Sequence, residues 1–386
     1  MDRALELQLT DEALQYMENR LGDYSETVFE LPVDVYTSAE RQRREVEQLF
    51  RRSALVAGMS CELARPGDHK SIDLAGVPVI VSRDADGAAR AFLNVCRHRG
   101  AKVVEDSHAT SKRFVCPYHG WVYDGAGRLC NLAGADEAFE GMDSQKRGLV
   151  PLPVTERHGL IWVVPDADAG PIDLDELLGP LGPDLAGWRL DECVHVDTRT
   201  HRVDANWKLV VETFTENYHL RTLHKKTLAP IMTYFANLQE PLGDHQRMVF
   251  PGYSLDKCKD IPREQWTAFD DWGLTVVYNI FPNTIMVLLC DHYEIFQMFP
   301  GRTPETSYAI QNVYAHNQAQ MREKPDALAE QANLIEHVLT TEDLHAVSSI
   351  QAGIRSRGNE TFVFGRNEIA AHHFHQRVLD RLGPDL

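Results

Sequence analysis

No run of about 18 consecutive apolar residues occurs in the 386-residue sequence, which excludes a membrane-spanning helix of the usual length. The opening stretch, MDRALELQLTDEALQYMENRLG, lacks the basic start and apolar centre of a secretory leader. It reads as an amphipathic helix with Leu14, Met17 and Leu21 on one side, and a cytoplasmic location is the expectation. Positive charge is scarce. The 39 Lys and Arg stand against 57 Asp and Glu, a net charge of −18, and no basic stripe offsets this, so a general nucleic-acid binder is excluded. No G-x-G-x-x-G opens a helix after a strand, so the chain has no dinucleotide site of its own to expect. The seven cysteines (Cys61, Cys96, Cys116, Cys130, Cys193, Cys258 and Cys290) are odd in number and loosely spaced, which argues against a disulfide framework. Most of them read as small buried apolar side chains. No internal repeat or low-complexity region is present. What remains, with 43% apolar and 25% charged residues, is a globular chain long enough for two domains.

Two cysteines differ from the rest. Residues 94–121, NVCRHRGAKVVEDSHATSKRFVCPYHGW, hold Cys96-Arg97-His98 and Cys116-Pro117-Tyr118-His119. Tetrahedral zinc also accepts two thiolates and two imidazoles, but a zinc finger pairs Cys with Cys and His with His. Here each pair is mixed. One thiolate from each loop can take one iron of a binuclear cluster and one imidazole from each the other, the ligand set of a Rieske [2Fe–2S] centre. Ala91–Val95 and Arg113–Val115 read as strand ends running into tight turns, Gly100 and Gly120 allow close backbone approach, and Trp121 is placed to shield the cluster.

Residues 206–224, NWKLVVETFTENYHLRTLH, begin with apolar residues at helical spacing: Trp207, Val210, Val211 and Phe214. Glu212, Glu216, His219 and His224 follow. His219 and His224 are five apart, roughly 140° around an ideal helix, so an unbroken α-helix does not aim both at one metal. A helix end or a π-bulge does. A two-His-one-carboxylate iron site needs one more ligand. In TTEDLHAVSSIQAGI (340–354), Thr340 or Thr341 can cap a helix, and Glu342 and Asp343 compete. The face from Asp343 runs through Val347, Ile350 and Ile354 and is expected to point inward. Glu342 reads as an ordinary first-turn acid favoured by the helix dipole.

Taken together, these motifs resemble the Rieske non-haem iron oxygenases, alpha subunits of terminal oxygenases. Asn206, Trp207, Lys208, Glu216, Tyr218, His219 and His224 fall on that family's pattern, as do the Glu342-Asp343 pair and Gln351. The resemblance implies an α+β chain: an all-β Rieske domain at 45–160 and, from 1–44 and 161–386, a helix-grip catalytic domain with an antiparallel sheet. It implies a cluster on Cys96, His98, Cys116 and His119, a mononuclear Fe(II) on His219, His224 and Asp343, and dioxygen as co-substrate. Electrons then come from NAD(P)H through a separate flavin or iron–sulfur reductase, or a ferredoxin. It further implies a head-to-tail homotrimer in which Glu216, where many members carry Asp, links the His219 of one subunit to His98 or His119 of its neighbour, because the path within one subunit is too long. The expected reaction is hydroxylation or demethylation of a small aromatic or cyclic compound. Oxidation of a quaternary amine such as carnitine, choline or betaine is the rival, and an electron carrier or redox sensor with a vestigial second site is the rival of another class. Tyr234, Phe235, Tyr278, Phe281 and Phe296 are candidates for the substrate pocket, and 166–185 reads as a linker.

Overall fold

The structure, a computed structural model, describes every residue except 106–107, 133–136, 268, 270–271, 324 and 384–386. The chain forms two compact units, Glu47–Leu174 and, from two segments, Met1–Val46 with Asp175–Leu386.

The 47–174 unit is built almost wholly of short antiparallel strands. Ala89–Leu93, Val77–Arg83, Asp68–Leu74 and Ala109–Thr110 form one sheet in that order. Val154–Arg157, Leu160–Val163 and Leu55–Met59 form a second, and Arg113–Val115, Val122–Asp124 and Leu129–Asn131 a third. The run around Leu160 is buried along its whole length, as a closing strand with apolar residues on both faces must be. The hairpin read around Asp86-Gly87 is present. Its loop is held by Asp84, whose carboxylate accepts from the backbone of Asp86 and Ala88. Ile80, Phe92, Phe114, Trp121 and Tyr123 pack into one core that also encloses Cys96 and Cys116.

The larger unit centres on a seven-stranded antiparallel sheet. Its order is Val194–Val203, Ser307–Ala315, Tyr293–Pro300, Thr284–Leu288, Leu274–Ile280, His245–Pro251, Leu238–Leu242. Apart from the first strand, neighbours in the sheet are neighbours in sequence, a meander that tight hairpins permit. A helical rod runs from Pro325 to Ile354, interrupted by a π-turn at Leu339–Asp343. The helix Trp207–Glu212 packs against both the strand Tyr293–Pro300 and the end of this rod, Leu344–Ile354.

Three local expectations need correction. The N-terminal helix Arg3–Asn19 buries Leu9, Ala13 and Leu14, while Leu21 lies beyond the left-handed cap at Arg20 and is 45% exposed. The stretch 166–185 is only partly a linker: Leu174–Leu178 and Leu181–Gly187 are helices, because Leu174, Leu178, Leu181 and Leu185 recur at helical spacing and are buried. Of the cysteines outside the two pairs, Cys193 and Cys258 are buried, but Cys130 is exposed and Cys61 and Cys290 are intermediate.

The start of the Trp207–Glu212 helix is fixed by buried charge. Lys208 and Glu45 are both fully buried and meet at 2.7 Å. Glu45 also accepts from Arg41 Nε at 3.1 Å and from the Trp207 indole at 2.9 Å. Burial pushes the Lys208 ammonium down and the Glu45 carboxylate holds it up. Glu45 is the one carboxylate shared by two buried cations in this group, so Glu45→Leu is expected to cost about 3–5 kcal/mol, and more than Lys208→Met, which leaves Glu45 paired with Arg41. Urea unfolding midpoints of the two single variants check this.

Candidate metal centres

Two loops of nearly the same shape carry the Cys/His pairs. In the first, Cys96 donates its N–H to Ala101 O at 2.8 Å and receives Gly100 N–H at 2.9 Å. In the second, Cys116 donates to Trp121 O at 2.8 Å and receives Gly120 N–H at 3.0 Å. Gly100 and Gly120 both take positive φ, +81° and +68°, which closes each loop without a Cβ penalty. The loops bring the two imidazoles together, tilted 66° to one another: His98 Nδ1 lies 3.1 Å from His119 Nδ1. The Cys96 sulfur contacts the Tyr123 hydroxyl at 3.3 Å. Burial pushes the Cys116 thiol up, opposed by the backbone N–H groups of Tyr118 and His119, which favour the thiolate. Trp121, buried, stacks on His98 with ring centroids 4.9 Å apart and planes within 11°. Two converging imidazole nitrogens beside two buried sulfurs fit a binuclear iron–sulfur cluster. With Nδ1 turned inward, each ring leaves Nε2 outward, and His119 is exposed.

The second constellation begins at Asn206. Its side chain caps the helix by accepting from Lys208 N at 3.1 Å, and its own N–H donates to the buried Gln351 at 2.9 Å. The helix stops at Glu212, and the hydroxyls of Thr213 and Thr215 donate back to Val210 O and Glu212 O. His219 then sits on a short 3₁₀ turn, Tyr218–Arg221, and His224 follows it. The five-residue spacing is therefore resolved by a helix end. Glu216 precedes the 3₁₀ turn and accepts the N–H groups of Tyr218 and His219.

The outcome is two imidazoles converging again, His219 Nε2 and His224 Nε2 at 3.1 Å. Asp343 Oδ1 stands 3.2 Å from His224 Nε2 and 3.8 Å from His219 Nε2. That oxygen is buried and has no hydrogen-bond partner among the described residues, and the three donors lie within 4.8 Å of one another. A buried carboxylate oxygen without a partner between two imidazole nitrogens fits a bound cation. The outer nitrogens are held too: His219 Nδ1 by Glu216 Oε1, and His224 Nδ1 by Glu342 Oε2 at 2.5 Å. Burial alone pushes the His224 ring down, but Asp343 and Glu342 outweigh it and raise its pKa.

Glu342 is thus not an outward helix acid. The π-turn Leu339–Asp343 changes the angular phase of the rod, so that Glu342 and Asp343 reach opposite edges of the same imidazole. Thr227 Oγ1 also donates to Glu342, at 2.8 Å. Thr340 and Thr341 cap nothing; their hydroxyls donate back to Glu336 O and His337 O within a continuing helix. Beyond Asp343, Val347 and Ile354 are buried as expected, but Ile350 is 41% exposed.

A cavity of about 110 Å³ opens beside the three donors. Of the five aromatic residues expected there, only Phe296 lines it. Tyr278 is core, bonded to Trp188 and Asp184. Phe281 packs on Phe374, and Tyr234 and Phe235 lie under Arg221 and Arg20. Phe214, Phe250 and Trp272 complete the aromatic lining instead.

Residues 190–384 match the model of the ring-hydroxylating alpha subunit catalytic domain, and residues 53–141 that of the Rieske [2Fe-2S] domain. The chain belongs to the ring-hydroxylating alpha-subunit family. It is 34% identical over 225 residues to the glycine betaine monooxygenase oxygenase subunit of Chromohalobacter salexigens, covering 58% of this chain and 48% of that relative. The chain therefore spans about half the length of that relative. It is 28% identical over 339 residues to the carnitine monooxygenase oxygenase subunit of Escherichia coli K12, covering 85% of each. In fold it resembles a quaternary ammonium Rieske monooxygenase crystallised with L-carnitine: TM-score 0.78 at 22% identity, covering 97% of this chain and 99% of that one. Membership gives the chain its two cofactors, a Rieske [2Fe–2S] cluster and a mononuclear iron used with dioxygen.

Proposed function

We propose that this chain is a terminal oxygenase subunit acting on a small organic substrate held in the cavity beside His219, His224 and Asp343. The observation that carries the reading is that one apolar cavity shares a wall with a two-His-one-carboxylate donor set, in a chain that also holds a paired Cys/His cluster site. Cys96 and Cys116 would hold one iron of the cluster and His98 and His119 the other. His219, His224 and Asp343 would hold the mononuclear iron. When bound, the cluster supplies single-electron transfer and the mononuclear iron supplies dioxygen activation. The chain's own work is positional. Glu216 and Glu342 fix the tautomer and aim of the two ligand rings, as carboxylates behind metal-bound imidazoles do. The apolar lining keeps water from the reacting centre. A separate NAD(P)H-dependent reductase supplies electrons, and three copies assemble head to tail, with Glu216 receiving a hydrogen bond from the outward Nε2 of the neighbouring copy's His119. Oε2 already accepts the backbone N–H groups of Tyr218 and His219, but Oε1, which takes the His219 ring, has room for a second donor, so Glu216 can serve His219 and the neighbour together.

Iron counting on purified protein, combined with a screen for substrate-triggered NADH consumption with a surrogate reductase, tests the reading. Three irons per chain and oxygenated product support it; two irons and no turnover point to an electron carrier. At the cluster, His98→Cys or His119→Cys is expected to keep the iron–sulfur absorbance but lower the reduction potential, since thiolate brings charge that imidazole lacks. Redox titration followed by electron paramagnetic resonance measures the shift. Stoichiometric zinc without visible absorbance would show the cluster assignment to be wrong.

A further inference from the structure

We infer that the cavity selects an uncharged apolar group about the size of a benzene ring, and that it rejects the zwitterionic quaternary amines named in the relatives. This rests on the oxygenase reading and specifies its substrate.

Size comes first. The cavity measures about 110 Å³, and an apolar protein cavity of about 150 Å³ accepts benzene. It therefore admits one compact ring or branched alkyl group and little more. Charge comes second. Among the described residues, no Lys or Arg lines the cavity. The lining carboxylates, Glu216 and Asp343, stand at the donor end, where Glu216 is committed to His219 and Asp343 faces the two imidazoles. The rest of the lining includes Val277, Val287, Leu289, Ile335, Trp272 and Phe250, all apolar.

Carnitine and betaine carry a carboxylate and a trimethylammonium group. In this cavity the carboxylate meets no cation. An ionised carboxylate buried without a partner is disfavoured by several kcal/mol. The trimethylammonium group gains some attraction from the rings of Trp272 and Phe296, but the two lining carboxylates are turned to the imidazoles and offset little of its lost hydration. A neutral group of the same shape loses nothing on entry. Thr275 also lines the cavity. It offers one polar contact for a neutral hydroxyl or carbonyl on the substrate.

Matched probes of the same shape test this by calorimetric binding to the iron-replete protein without turnover. Choline is paired with 3,3-dimethylbutan-1-ol, in which carbon replaces the charged nitrogen. Glycine betaine is paired with 3,3-dimethylbutanamide, and toluene and L-carnitine complete the set. The neutral member of each pair, and toluene, are expected to bind on the order of 100-fold more tightly than the charged members. Ile335→Trp, which fills the cavity from a half-buried position, is expected to abolish toluene binding at unchanged iron content. Choline, glycine betaine or L-carnitine binding as well as its neutral counterpart overturns the inference, and so does failure of toluene to bind. A chain with two irons instead of three defeats the oxygenase reading, a result independent of the binding data.

Discussion

Asp343→Ala is expected to empty the mononuclear site and reduce oxygenation to background while the iron–sulfur spectrum stays intact. The geometry gives the reason. Among the described residues, Asp343 Oδ1 is the one carboxylate oxygen placed against both His219 Nε2 and His224 Nε2, and it is buried without any other partner. Without it, two neutral imidazoles are left to hold the cation. Glu342→Ala makes the control, because the two acids are adjacent in sequence but differ in role. Glu342 touches the opposite nitrogen of His224, so its loss is expected to weaken iron binding by about 10- to 100-fold and to be rescued by excess Fe(II). Iron content by plasma emission, with the visible spectrum as the cluster readout, separates the two variants. Full iron and turnover in Asp343→Ala with loss of both in Glu342→Ala would reverse the assignment.

Glu216→Gln is expected to leave iron content, cluster spectrum and assembly unchanged, yet to slow oxidation of the reduced cluster about 10- to 100-fold in a single turnover with substrate and oxygen. Glu216 Oε1 takes the proton-bearing nitrogen of His219, and Oε2 caps the backbone of Tyr218 and His219. The amide keeps one acceptor oxygen, so the 3₁₀ turn should survive. What it loses is the negative charge and the second acceptor that let one group serve His219 and a neighbour's His119. Rapid mixing that follows the cluster absorbance tests the bridge. Unchanged kinetics, or full activity in a monomer at high dilution, would rule it out.

Much of this was legible in the chain itself, for identifiable reasons. The mixed Cys/His pairs argued against a zinc finger by their order, and the structure shows that each cysteine opens the same loop closed by a positive-φ glycine. The spacing of His219 and His224 could not be helical, and it is not. Glu342 was misread because a helical wheel assumes 100° per residue throughout, and the turn at 339–343 breaks that rule. A local signal existed, since Thr340 and Thr341 both have hydroxyls able to bond back along a widened turn. The cavity aromatics were missed because Tyr278 and Phe281 sit on or beside a strand buried on both faces, where alternation says nothing about which face meets the cavity. Trp272 and Phe250, from neighbouring segments, take that place.

The rod from Pro325 to Ile354 also limits how this protein can diversify. Ile335, Val338 and Leu339 are cavity wall, Glu342 and Asp343 are metal-side carboxylates, and Gln351 holds the Asn206 cap, all on one continuous stretch of backbone. Exchanging Leu339 for a larger or smaller side chain alters the very turn that aims Asp343, so selection for a new substrate on this side is coupled to selection against losing iron. Val277 and Val287 lie on sheet strands, and Leu289 directly follows the second of them; none of these segments carries one of the three metal donors. Lineages that change substrate are therefore free to drift along the sheet wall, while the helical wall stays under the constraint of the metal.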